Sequence, residues 1–216
     1  MICPKLRFKE FNDSWKNYQI KDIAKVIGGG TPDTSNSLFW NGDINWFTPS
    51  EIGKSKYVCN SIRKITDAGL KQSSAKLLPV GSILLTSRAT IGESSILIDN
   101  LACTNQGFQS LVVNSNNNSE FVYYLTKTIK KQMLKKSFGS TFLEISKSNL
   151  EKIKVNIPKK AEQDKIAKFF SALDNKLELQ ACKIDELIKL KKWLNNHLYI
   201  PNNTWKKVKL GDVLVG

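Results

Sequence analysis

The stretch KKAEQDKIAKFFSALDNKLELQACKIDELIKLKKWLNNHLY, residues 159–199, contains no glycine and no proline. Nine of its positions, spaced alternately by three and four residues, fall on one face of a helix, and seven of them are apolar. The apolar seven are Ile166, Phe170, Leu173, Leu177, Ile184, Leu187 and Leu194. This pattern predicts a long helix over residues 161–198, with a coiled-coil seam and a length of roughly 57 Å at 1.5 Å per residue.

The predicted seam has no obvious partner helix elsewhere in the chain. The seam needs a second helix, which could come from another copy of the chain. The other two seam positions are Gln180 and Lys191. Polar residues there either set the register of the pair or are tolerated imperfections, and both interpretations are open.

The residues before this helix have a different pattern. Between residues 17 and 113, short apolar runs alternate with turn-forming stretches such as GGGTP and NGD. The predicted strands lie in YQIKDIAKVI (18–27), INWF (44–47), GSILLTS (81–87), SSILI (94–98) and FQSLVV (108–113). A further strand in EKIKVNIP ends at Pro158. We therefore expect an α+β fold, with a mostly β domain containing short helices over residues 1–160 and one long coiled-coil helix over 161–200.

A basic helix is predicted within the first domain. Ser119 can cap a helix that runs from Glu120 to about Lys136, with Val122, Leu125, Ile129 and Met133 on its buried face. Five lysines lie elsewhere on its surface, and the polar loop SFGST, residues 137–141, follows it. Such lysines are either a solvated face or, together with the hydroxyls and amides of the loop, a phosphate-binding surface.

The last residues repeat an earlier stretch. TWKKVKLGDVLVG, residues 204–216, aligns with SWKNYQIKDIAKV, residues 14–26, so that Trp205 falls on Trp15 and Asp212 on Asp22. A repeat after 190 residues is too long for a solenoid and indicates a duplicated domain unit. Residues 201–216 are therefore interpreted as the start of a truncated second repeat.

The net charge of +14 is concentrated in the predicted β domain. Residues 1–160 contain 23 Lys and Arg against 12 Asp and Glu, a net charge of +11, while residues 161–200 contain 7 against 6, a net charge of +1. A basic domain joined to a balanced segment is typical of a polyanion-binding protein, although general basicity without a site is the alternative. The chain has no signal-peptide pattern and no bilayer-length apolar run, so we expect a cytoplasmic protein without membrane contact.

Motifs for catalysis or metal binding are not found. The four cysteines are widely separated and His197 is the single histidine, which argues against structural zinc and against a disulfide framework. TPSEIGKS, residues 48–55, ends like a phosphate-binding loop but has Thr48 where that motif needs glycine. The sequence therefore contains no recognisable catalytic machinery.

Four segments together carry a family resemblance. They are GGGTPDTSNSLFWNGDINWFTPSEIG (28–53), LLPVGSILLTSRATIG (77–92), TNQGFQSL (104–111) and GSTFLEISKSNLEKIKVNIPKKAEQDKIAKFF (139–170). In this order they resemble the DNA-specificity subunits of type I restriction-modification systems over nearly the whole chain.

The resemblance implies an arrangement of domains. By this resemblance, a full-length subunit would contain two target-recognition domains, each followed by a long helix. The two helices would pack antiparallel and act as a spacer between two DNA half-sites. The present chain resembles half of such a subunit, arising by natural truncation, by frameshift or recombination, or by deliberate shortening. Two copies would then read a palindromic split target. The resemblance also implies docking of a methyltransferase subunit and a restriction subunit, which would bring S-adenosylmethionine, ATP and Mg.

With this resemblance, side-chain chemistry suggests candidate DNA contacts. Arg88 can pair with guanine and Gln106 with adenine, or each can support its own loop. The candidates for base or loop contacts are Thr31, Arg88, Thr90, Gln106, Ser140, Thr141 and Lys147. The candidates for phosphate contacts are Lys54, Lys56, Lys135 and Lys136.

Two other functions remain open at this stage. The chain could be a coiled-coil interaction protein, such as an antagonist of a full-length specificity subunit, that no longer binds DNA. It could also be a small DNA-modifying enzyme with an unrecognised site, although the absent motifs argue against this. Sequence-dependent DNA binding separates the first alternative from a specificity subunit.

Overall fold

The computed structural model describes residues 4–99, 101–139, 143–198 and Val208. Its elements are those of an α+β protein, a β-rich region followed by one long helix, which confirms the predicted fold class. The chain divides into two compact units, one ending at Lys168 and the other beginning at Phe169.

Ten strands and five α-helices are found in the described residues. The strands are β1 (Lys16–Gln19), β2 (Ala24–Gly28), β3 (Trp40–Phe47), β4 (Tyr57–Val58), β5 (Arg63–Ile65), β6 (Ile83–Leu85), β7 (Ser94–Leu97), β8 (Ala102–Thr104), β9 (Gln109–Val113) and β10 (Lys154–Ile157). The helices are α1 (Ile20–Ile23), α2 (Asp67–Lys71), α3 (Ser119–Lys136), α4 (Lys147–Glu151) and α5 (Lys160–Leu198). Two short 3-10 helices, Ser37–Phe39 and Pro49–Glu51, flank β3.

The strands form three sheets. The largest has the order β2-β9-β6-β7-β4, antiparallel except for the parallel β4–β7 pair, and a three-stranded sheet has the order β5-β3-β8 with β3 and β8 parallel. In the third sheet β1 pairs antiparallel with β10, Lys16 opposite Ile157 and Gln19 opposite Lys154. Strands from opposite ends of the first unit therefore meet beside the start of α5.

The main hydrophobic core fills the space between the five-stranded sheet and the helices of the first unit. Ile83, Leu85 and Leu111 from the sheet pack with Ile129 and Met133 of α3. Residues at the start of α5, among them Ala167, close the same core. Burial of these apolar side chains is the main stabilising contribution to the fold.

The two predicted helices are present with small shifts at their ends. Helix α5 begins at Lys160, one residue before the predicted start, and ends at Leu198 as predicted. Helix α3 begins at Ser119, and its cap is Asn118, whose side chain accepts a hydrogen bond from the Phe121 amide. Val122, Ile129 and Met133 are buried as predicted.

The sequence predicts one strand across YQIKDIAKVI, and the structure divides this segment into β1, α1 and β2. The break has a local cause. The Asp22 carboxylate accepts a hydrogen bond of 2.7 Å from the backbone amide of Gln19, and this bond closes a single helical turn. Ile20 and Ile23 are nevertheless buried, since the turn directs both into the main core.

The described part of the second unit consists of the remaining turns of α5 and Val208. Its large apolar side chains are exposed in the described structure, from 38% for Leu194 to 71% for Leu179. None of the helices within the described ranges combines the length and apolarity that crossing a bilayer demands.

Candidate nucleic-acid interface

Four loops of the first unit are joined by backbone hydrogen bonds. The Gly30 amide donates to Thr104 O at 2.8 Å, and the Ser87 amide donates to Gly107 O at 2.8 Å. The Ile145 amide donates to Ser87 O at 3.1 Å. We call residues 29–33, 86–93, 104–107 and the described part of 137–145 the loop cluster.

The turn between β6 and β7 presents Arg88 and Thr90 at its exposed tip. The turn is closed by the hydrogen bond from the Thr86 amide to Glu93 O at 2.9 Å, while the Thr86 hydroxyl donates to Thr90 O. Ala89, between the two candidates, has a backbone φ of 57°. This lies in the left-handed region that residues other than glycine rarely adopt. Such strain persists only where the surroundings hold the backbone, so the tip is a fixed feature of the fold.

Arg88 forms an ion pair across two loops. Its Nε lies 2.8 Å from Glu144 Oε2, and the backbones of the two residues form an isolated antiparallel bridge. Glu144 also exchanges backbone hydrogen bonds of 3.0 Å with Phe138, which closes the 138–144 loop at its base. The Arg88 side chain is 44% exposed and that of Glu144 is 25% exposed.

Thr31 and Gln106 are brought together by the glycines before Thr31. A Cβ on Gly29 would lie 2.0 Å from Asn105 O, so this close approach of two backbones needs glycine. The Trp46 indole donates a hydrogen bond to Gly30 O at 2.8 Å, which also fixes the loop that contains Gly29 and Thr31. The Thr31 hydroxyl donates to the Gln106 side-chain oxygen, leaving the exposed Gln106 amide as a donor at the surface.

Three phosphate candidates and Lys147 are exposed around the loop cluster. Lys135 and Lys136 form the last turn of α3, immediately before the 137–145 loop. Lys147 begins α4 just after that loop, with Nζ 3.8 Å from Glu151 Oε1. Lys54 is exposed beside Gly53, which packs against Glu93 at the end of the β6–β7 turn.

Lys56 differs from these lysines because its side chain is only 7% exposed. Its Nζ lies 3.0 Å from Glu120 Oε2 and 3.0 Å from the Tyr124 hydroxyl, and the Tyr57 ring centroid is 5.0 Å away. Burial lowers the pKa of the Lys56 ammonium, but the hydrogen bonds to Tyr124 and Glu120 outweigh it and raise this pKa above its usual range. The placement favours a structural role, linking β4 to α3, over the expected phosphate contact.

The expected seam residues have two kinds of environment. Ile166 is half-buried against the main core of the first unit. The others lie in the second unit with exposed side chains, namely Phe170, Leu173, Leu177, Ile184, Leu187 and Leu194.

Some predicted features lie outside the described residues. Ser140 and Thr141 are among them, and so is the repeat at 204–216 apart from Val208. Across the ranges that are described, no group of three His, Cys, Asp or Glu side chains is arranged to hold a metal ion.

Sequence reasoning missed Glu144 and Arg63. Glu144 is 56 positions from Arg88 in the chain, so no local pattern indicates their contact. The Arg63 guanidinium lies 3.6 Å from the Trp40 ring centroid, and Trp40 packs edge-on against Trp46. Since Arg63 and Trp40 lie on paired strands, only the sheet topology brings them together.

Residues 12–190 match the family model described as the type I restriction modification DNA specificity domain. The specificity subunit of the type I restriction enzyme MjaIX from Methanocaldococcus jannaschii is 35% identical over 93% of this chain and 51% of its own length. The EcoR124I/EcoR124II specificity subunit from Escherichia coli is 30% identical over 78% of this chain and 43% of its own length.

Solved structures share the fold. A chain from a study of complex assembly and conformational transition of the type I restriction-modification system has a TM-score of 0.65 at 19% identity, covering 85% of this chain and 44% of that one. The type I S subunit from M. genitalium has a TM-score of 0.60 at 22% identity, covering 92% and 49%. The present chain spans about half the length of the curated relatives it matches. Because the family model covers both the β-rich unit and most of α5, the chain belongs to the type I restriction-modification DNA specificity family.

Proposed function

We propose that this chain is a non-catalytic specificity subunit that recognises one half of a split DNA sequence and acts as a homodimer. The observation that carries the proposal is the family match over residues 12–190, which includes the loop cluster and most of α5. The names of the relatives, all specificity subunits of type I restriction enzymes, support the same role.

DNA recognition is assigned to the loop cluster. Arg88, Thr90 and Gln106 present side-chain donors at its exposed surface, and each is of a type that contacts base edges. Lys54, Lys135 and Lys136 are exposed nearby and suit phosphate contacts, which fix the position of the protein without reading sequence. The net charge of +11 over residues 1–160 favours association with DNA.

Self-association is assigned to the seam of α5. A row of exposed large apolar side chains, including Leu173, Leu177 and Ile184, is costly in water and is removed from it when a second helix packs there. Two copies related by a two-fold axis would present two identical loop clusters, so the target would be an inverted repeat with a fixed gap.

Docking of other subunits is assigned to the surface of α5 outside the seam and to the exposed surface of the first unit. A methyltransferase subunit would bind there and bring S-adenosylmethionine, and a restriction subunit would bring ATP and Mg. No cofactor is assigned to this chain. Such a role implies a cytoplasmic location, where the DNA substrate is found.

A selection from randomised DNA duplexes tests the proposal. The purified chain, with and without a type I methyltransferase subunit, is incubated with the pool, and the bound duplexes are sequenced. We expect enrichment of two inverted half-sites at a fixed separation. Enrichment only with the methyltransferase subunit would keep the function and assign part of the affinity to that partner. No enrichment in either sample would contradict the proposal and favour a coiled-coil interaction protein.

A further inference from the structure

The ion pair between Arg88 and Glu144 lies at the exposed surface of the loop cluster. The contact is made by Arg88 Nε, 2.8 Å from Glu144 Oε2. In the described part of the chain this is the one ion-pair contact that Arg88 makes. An arginine carries five N–H donors, so a contact through Nε leaves the donors of both Nη groups for another acceptor.

The other two arginines are used differently. Arg7 donates to Glu162 through Nε and Nη2 together, which uses one whole edge of its guanidinium within the fold. Arg63 stacks on the Trp40 ring. Arg88 alone combines a carboxylate on Nε with a position at the tip of an exposed turn.

Both partners of this ion pair stand on a fixed backbone. Arg88 follows Ser87, which is fully buried and donates its amide to Gly107 O. Glu144 precedes Ile145, also fully buried, whose amide donates to Ser87 O. The left-handed Ala89 follows Arg88 directly. The pair is therefore held in place before any ligand arrives, which lowers the entropic cost of binding through Arg88.

The Arg88 Nη groups, which have no acceptor among the described residues, match one base. Two N–H donors in a planar fork fit the O6 and N7 acceptors of guanine in the major groove, the commonest base-specific contact of arginine. We propose that Glu144 is a positioning residue that holds Arg88 for guanine, so that the pair specifies one G·C base pair in each half-site. This inference rests on the proposed function, because it assigns a specificity role within the same DNA-binding surface.

A purely structural ion pair would behave differently when broken. Loss of a structural link would weaken binding to all duplexes together, or lower the melting temperature, without changing the preference at one position. Loss of a positioning residue would change the preference at one base pair. Because Glu144→Ala also removes a negative charge near the DNA, affinity for unrelated duplexes should not fall.

The test uses the duplex selected by the wild-type chain and derivatives in which each base pair is substituted in turn. Affinities are measured by competition for the wild-type chain and for the Glu144→Ala, Arg88→Lys, Arg88→Ala and Arg88→Ala/Glu144→Ala variants. Arg88→Lys keeps the charge but loses the fork. The matched control is Asp13→Ala, which removes an exposed carboxylate outside the loop cluster that is paired with Lys159 at 2.9 Å.

We expect the wild-type chain to prefer G·C at one position of each half-site by about tenfold or more. Glu144→Ala and Arg88→Lys should each lose most of that preference at the same position, and the double variant should lose no more than Arg88→Ala. Asp13→Ala should keep it. An unchanged preference in Glu144→Ala, with thermal unfolding showing a folded variant, would overturn this inference and leave the proposed function standing. Failure of the wild-type chain to select any motif, both with and without the methyltransferase subunit, would overturn both.

Discussion

Arg7 donates two hydrogen bonds to the buried carboxylate of Glu162, from Nε to Oε1 at 2.7 Å and from Nη2 to Oε2 at 2.6 Å. The Trp15 indole donates to Oε1 of the same carboxylate at 3.3 Å. Glu162 lies in the first turn of α5 and its side chain is 2% exposed, so this contact attaches the N-terminal segment to the start of that helix. A bidentate pair of this kind fixes orientation as well as distance.

Removing Arg7 should destabilise the first unit. Arg7→Ala leaves a buried carboxylate with the Trp15 indole as its remaining side-chain donor, and we expect a loss of about 3 kcal/mol in the free energy of unfolding. Urea unfolding followed by tryptophan fluorescence measures this loss. The control is Lys159→Ala, which breaks an exposed ion pair with Asp13 and should have no measurable effect. Equal stability of the two variants would contradict a structural role for the buried pair.

Introducing negative charge into the apolar seam of α5 should produce monomers. Leu177→Asp together with Ile184→Asp would place two carboxylates where the partner helix packs, and light scattering should show the mass of one chain. The matched control is Leu179→Asp, because Leu179 is 71% exposed but lies two residues from Leu177, on another face of α5. A dimer that survives the double substitution would show that the seam is assigned to the wrong face.

Lys56 should contribute a constant stability across neutral pH. Lys56→Met removes the donor to Tyr124 and Glu120 and should lower the free energy of unfolding by about 2 kcal/mol. Because folding raises the pKa of Lys56, its contribution is complete below the unfolded-state pKa of about 10.4 and is lost as the pH rises through the folded-state value. Urea unfolding should therefore show the same difference between wild type and variant at pH 7 and pH 9. A difference that shrinks between these two values would contradict the assigned ion pair.

Exposed lysines around the loop cluster should set the salt dependence of DNA binding. If Lys135 and Lys136 each neutralise a phosphate, Lys135→Ala/Lys136→Ala should reduce the slope of log affinity against log salt by about 1.8, at about 0.9 per contact. The loss of affinity should be similar for specific and unrelated duplexes, which fluorescence anisotropy at several salt concentrations measures. Lys189→Ala is the control, since Lys189 lies in the second unit and is paired with Asp185. An unchanged slope would remove both lysines from the interface.

The sequence predicted those features that a local pattern determines. Helix α5 was predicted to within one residue because its apolar spacing is regular over many turns and no residue interrupts it. The β-rich nature of residues 17–113 followed from short apolar runs and turn residues. Helices α2 and α4, of five residues each, were not predicted because single turns depend on a few capping bonds, such as that from Asn149 N to the Ser146 hydroxyl.

Features that join distant segments were not predictable from one sequence. The parallel pairing of β3 with β8, and the meeting of β1 with β10, depend on contacts between segments about 60 to 140 residues apart. The candidate site shows the same limit. Side-chain type alone suggests Arg88 and Gln106, but the contact of Glu144 with Arg88 is created only by the fold. Lys56 was chosen for its charge, and only the structure shows Glu120 and Tyr124 around it.

The central claim is that two copies of this chain, held by α5, read two DNA half-sites at once. The most direct measurement takes the selected duplex, lengthens or shortens the gap between the half-sites by one base pair, and determines each dissociation constant. One added base pair rotates one half-site by about 34° relative to the other, which a rigid pair of loop clusters cannot follow. We predict at least about a tenfold weaker affinity on either side of the selected gap. Equal affinity at all gap lengths would contradict simultaneous reading of two half-sites by a homodimer.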